Sequence, residues 1–145
     1  MSELSRHMAM ERLTLLPVHT ISAAETAISG TIITGLMGVT VVSVQAIFVY
    51  GAGGTTTTVW LQTTLDNGVT WFDIAQWAFT TATVTRIHSV RTATAVAANY
   101  TPTDAALGAN AIKDGLLGDQ LKIKYTTTGT YTGVTTLEVL GVARG

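Results

Sequence analysis

The chain has 145 residues, with 8 lysines and arginines against 9 aspartates and glutamates. Only 12% of it is charged, about half the ~25% usual in soluble domains. At 47% apolar residues and a mean hydropathy of +0.39 it is too apolar for a disordered segment, and a net charge of −1 lacks the basic excess that drives binding to a phosphate backbone. The absence of cysteine excludes a disulfide framework, a thiolate metal site and a cysteine nucleophile. The length predicts one domain with a core of its own.

Residues 1–20 read as an N-terminal arm, with a short strand over Leu13–Val18 that has Pro17 near an edge or end, and 21–145 as the folded domain. The first dozen residues carry Glu3, Arg6, His7, Glu11 and Arg12, with no apolar signal segment. Leu4 and Met8 have helical spacing, but the run is short and ends near Pro17. The arm is therefore expected to order only on docking, with Leu4, Met8, Met10, Leu13, Leu15 and Leu16 as its contacts.

No charged residue lies between Glu25 and Asp66, which raises the question of a membrane span. Basic flanks are missing, the segment is rich in Val, Ile and Thr, and it alternates from Val42 (Val42, Val44, Ala46, Phe48 and Tyr50 on one face, Ser43 and Gln45 on the other). A strand is the better reading, and no membrane partner is expected. The strand ends at Gly51-Ala52-Gly53-Gly54, which lacks the Lys-Ser/Thr of a phosphate loop.

Thr57–Thr64 and Val69–Ala75 form a predicted hairpin around Asp66-Asn67-Gly68, since Asn-Gly supplies positive φ cheaply. Strands are predicted over 77–90 and 91–98. Residues 101–118 break the β pattern and read as a long loop with a short helix, interrupted by Gly108, Gly115 and Gly118. Gln120–Thr126 alternates again, with Leu121, Ile123 and Tyr125 inward and Lys122 and Lys124 outward, and Val134–Ala143 is the last strand. About eight strands predict an all-β fold, a β-sandwich or jelly roll.

Candidate sites are sparse. Thr64-Leu65-Asp66-Asn67-Gly68-Val69-Thr70-Trp71 resembles the Asp-box hairpin found in sialidases and other β proteins, where it serves as a folding device away from the active site. Asp66, Asn67, Gly68 and Trp71 are accordingly assigned to a structural hairpin. His7, His19 and His88 have no ligand spacing, and Asp104, Asp114 and Asp119 have no calcium-loop pattern, so no metal or cofactor is expected. Arg86, His88 and Arg91 form a small candidate basic cluster, but no nucleic-acid partner is expected. Trp60, Trp71 and Trp77 are candidate glycan-stacking residues. Of the carboxylates, only Asp66 and Asp73 lie in this aromatic-rich region, and Asp66 is committed to the turn, so no enzymatic activity is expected.

Twenty-eight threonines and few lysines imply long, weakly charged strand edges that a partner must cover. In this style of composition, and above all over Val59–Thr83, the chain resembles the small all-β virion proteins of tailed bacteriophages, most of all head decoration (cement) proteins. The resemblance implies a homotrimer on the capsid surface that contacts the major capsid protein through its arm and clamps neighbouring capsomers, made in the host cytoplasm. A tail, neck or baseplate protein and a carbohydrate-binding jelly roll are the alternatives.

Overall fold

A computed structural model describes residues 10–96 and 98–145. The fold is all-β, with ten strands and no helix among the described residues. The longer strands are β1 (Met10–Ile21), β3 (Val41–Val49), β5 (Thr56–Thr64), β6 (Trp71–Phe79), β7 (Val84–Arg91), β8 (Gln120–Thr128) and β10 (Thr135–Arg144). Three two-residue strands complete the set: β2 (Ile28–Ser29), β4 (Ala52–Gly53) and β9 (Tyr131–Thr132).

Two four-stranded antiparallel sheets have the orders β1-β10-β3-β7 and β2-β8-β5-β6, and β4 pairs with β9 in a separate ribbon. The pairing is nested. β5 pairs with β6, β3 with β7, β2 with β8, and β1 with β10. Each outer pair encloses the inner ones along the chain, like a long hairpin.

Alternation explains the core. In β3 the residues Val42, Val44, Ala46 and Phe48 are buried, and in β8 so are Leu121, Ile123 and Tyr125. They meet Leu137, Val139, Ile74, Trp77 and Phe79 in one hydrophobic cluster fed by both sheets. Phe48 stacks on Phe79 with ring centroids 5.1 Å apart and meets Tyr131 edge-on.

Three predicted elements differ from the fold. From Met10 onward the expected arm is strand: β1 contains the predicted Leu13–Val18 and pairs with β10 from Met10↔Arg144 to Ile21↔Thr135. Leu13, Leu15 and Leu16 are buried in the core, because two register shifts in β1 turn both Leu15 and Leu16 inward; they are not available as surface contacts. Met10 is half-exposed, and Leu4 and Met8 lie outside the described residues. The strand predicted over 77–90 is two strands broken at Thr80–Thr83, and of the strand predicted over 91–98 only Arg91 is strand, ending β7, the rest being turn and coil where it is described. The short helix predicted in 101–118 is irregular chain, with Ala105 and Asn110 at positive φ.

Candidate functional site

The β5–β6 hairpin has the connectivity its sequence predicts. The Thr64 hydroxyl donates to Asp66 Oδ1 (2.9 Å) and accepts from the Gly68 amide (3.0 Å), while Asp66 Oδ1 accepts from the Thr70 amide (2.7 Å). Asn67 and Gly68 both take positive φ, 59° and 89°. Across from the tip, Gln120 donates its amide to Asn67 Oδ1. The Lys122 ammonium lies 4.6 Å from the Trp71 ring centroid. Hydrogen bonds from the Thr70 amide and hydroxyl hold the Asp66 carboxyl below the ordinary aspartate value, against a small opposing effect of burial. Every polar group here serves the turn.

The other candidates are dispersed into structural roles. His19 Nε2 meets Glu25 Oε1 at 2.8 Å, and the Tyr125 hydroxyl donates to Glu25 Oε2 at 2.6 Å. Burial raises the Glu25 carboxyl, but these two hydrogen bonds outweigh it and leave the group below its usual value. Tyr125 is pushed well upward by burial and then by Glu25. Arg86 points inward, donating Nε to the Ala78 carbonyl at 3.2 Å, whereas Arg91 lies on the opposite face of β7, so the two do not form a basic cluster. His88 is half-buried, which lowers its pKa against the pull of Asp114. Asp114 accepts from the amides of Arg91 and Gly115 and the hydroxyl of Thr94. Trp60 and Trp77 are buried, and Trp71 has Lys122 over its ring, so these three present no open stacking platform. Among the described residues no group of three His, Asp or Glu side chains could hold a metal, and no helix is long and apolar enough to cross a membrane.

The polar centre that sequence reading missed is Asp73. It is fully buried, yet its carboxylate accepts five hydrogen bonds: from Gln62, from the Thr103 hydroxyl, and from the amides of Ala105, Ala106 and Leu107, all at 2.9–3.0 Å. Oriented N–H and O–H dipoles thus take the place of water around this buried carboxyl group. Gln62 donates the same amide nitrogen to Asp104 Oδ1, which also binds the Lys124 ammonium at 2.7 Å. The residues 100–113 are thereby strapped over the outer face of β5 and β6, sealing Trp60, whose indole donates to the Leu107 carbonyl. The same segment also hydrogen-bonds the free edge of β6, through Asp73 N to Thr103 O, Gln76 N to Ala111 O and Lys113 N to Ile74 O. An edge that composition assigned to a partner is thus covered by the chain itself.

Among the described residues nothing covers the outer face of the β1-β10-β3-β7 sheet in this way. Its outer face carries Ile47, Val49, Ile87, Leu140 and Val142 among Ser43, Gln45, Ser89 and Thr136. Ile87 is 67% exposed and Met10 51%. A shallow, open hollow of about 740 Å³ lies across this face, floored by Gln45, Leu140 and Val142 and bordered by Met10, Arg12 and Ile87. Glu11 as well as Arg12 lines the hollow, and the sheet's outward charges are Arg12, Arg91 and Arg144 toward one end and Glu138 toward the other. This face presents apolar side chains at its centre and charged ones toward its ends.

The chain matches no known family model, no curated protein and no solved structure.

Proposed function

We propose that this chain is a structural virion protein, a jelly-roll subunit that decorates a phage head and holds neighbouring capsomers together. The observation that carries the reading is the contrast between the two sheets. Among the described residues one outer face is sealed by residues 100–113 over a polar network centred on Asp73, and the other is left broad, with apolar side chains at its centre and charged ones toward its ends. A contiguous face of that kind marks a protein-binding surface.

The nested pairing supports the finer fold. With β4 and β9 set aside, the strands in chain order pair first with eighth, second with seventh, third with sixth and fourth with fifth. That is a double ribbon rolled into two facing sheets, the jelly-roll form of the β-sandwich used by many shell proteins. A fold alone does not fix a function. The threonine-rich, cysteine-free composition and the resemblance to decoration proteins are what direct it toward a virion. The contact surface is reassigned from the arm to the exposed sheet face, because Leu13, Leu15 and Leu16 belong to the core.

The test is co-sedimentation with empty shells assembled from the major capsid protein of the same source. Saturable binding that raises the shells' resistance to heat is expected. Shells that pellet without the protein overturn the reading.

A further inference from the structure

We propose that the outer face of the β1-β10-β3-β7 sheet docks a second copy of this chain, across a two-fold axis that runs over β10 at Gly141. This rests on the reading of that face as a protein-binding surface and names its partner. It does not rest on the phage assignment.

The argument is one of register. On β10 the outward residues are Glu138, Leu140, Val142 and Arg144, opposite Ile47, Gln45, Ser43 and Val41 of β3. Gly141 stands midway between Glu138 and Arg144. A two-fold axis crossing the strands there reverses the strand direction of the second copy. It sets Arg144 of one copy against the partner's Glu138, and Glu138 against the partner's Arg144. The same operation sets Leu140 against the partner's Val142, and Val41 against the partner's Ile47. On β7 it sets Arg91 opposite the partner's Thr85, and on β1 it sets Arg12 opposite the partner's Thr14. No like charges meet, the apolar belt falls on itself, and both ionic ends are satisfied at once.

Self-complementarity of this kind is what a closed pair requires. None of Arg12, Arg91, Arg144 and Glu138 is in an ion pair among the described residues, so all four are available. The area is adequate but modest. Four strands at about 4.8 Å spacing and about 33 Å long present on the order of 600 Å² per copy, about 1,200 Å² in total. This is the lower limit for a specific interface, so the pair forms reversibly. A two-fold pair differs from the trimer that the resemblance to decoration proteins implies.

Sedimentation velocity on the whole chain, from about 1 μM to about 200 μM, reads the outcome directly. A concentration-dependent dimer is expected. Glu138→Arg places like charges together at both symmetric positions and weakens the dimer by about tenfold or more. Adding Arg144→Glu to that variant restores it, which a merely structural role for either side chain would not do. Circular dichroism verifies that each variant keeps its strands. A monomer throughout the range, a trimer, or a charge swap without loss and rescue overturns the proposal. No shells are present in this experiment, so its failure is distinct from failure to bind a capsid.

Discussion

The Asp73 carboxylate lies 2.9 Å from the Gln62 side-chain nitrogen, both fully buried, one on β6 and the other on β5. They stand opposite one another in the strand register, just after the shift at Leu61/Gln62. From this pair the chain organises a segment thirty residues further on, because the remaining lone pairs of Asp73 face the amides of 105–107.

Asp73→Asn turns an amide NH₂ toward donors that need an acceptor. A loss of about 2–4 kcal/mol is expected, since hydrogen bonds to a charged acceptor are the stronger kind and orphaned N–H groups stay buried. Urea denaturation checks the magnitude. Hydrogen exchange checks the mechanism: amides 105–107 lose protection, while those of β3 and β10 keep it.

Leu15→Ala separates a core residue from an arm contact. Leu15 is fully buried, so truncation costs about 2–5 kcal/mol in the isolated protein. An arm residue would leave isolated stability unchanged and lower only partner binding. Thermal unfolding of the variant decides between them.

Two glycines in the same long segment predict opposite outcomes. A Cβ on Gly118 would sit 1.7 Å from the Thr64 carbonyl oxygen, whereas one on Gly108 meets nothing within 4 Å. Gly118→Ala is expected to cost about 1–3 kcal/mol, as overpacking does. Gly108→Ala should stay near wild type in the same denaturant titration.

The hairpin carries a pH signature. The folded Asp66 carboxyl titrates below its ordinary value of 3.8, so its contribution is complete above that value and is lost as pH falls through the lower folded one. Glu25 follows the same sign below 4.5, through its bonds to His19 and Tyr125. In an NMR titration the Thr70 amide should shift with a midpoint under 3.8, and Asp66→Asn should abolish that step.

What the sequence disclosed follows the range of the forces involved. The hairpin at 64–71 was legible because every bond in it spans four residues or fewer. The inward faces of β3 and β8 were legible because alternation is local. β1 was legible only in its middle, as the strand over Leu13–Val18; its full length was not, because its partner β10 lies far along the chain, and Pro17 together with the shift around Leu15 and Leu16 spoils its period. The segment 101–118 looked helical from Leu107, Ala111 and Ile112. Its conformation is set instead by Asp73 and Gln76, about thirty residues away, and Gln76 accepts the Asn110 amide. The exposed sheet face had its signal in the outward residues of β3 and β10, but only the pairing of Val142 with Ser43 and Leu140 with Gln45 assembles them into one surface.

The pairing of Met10 with Arg144 also governs the order of events during synthesis. Until β10 has left the ribosome, β1 and β3 have an unfilled lane between them, and that sheet cannot close. The nascent polypeptide must therefore wait for β10, and this lag exposes unpaired strand edges to aggregation.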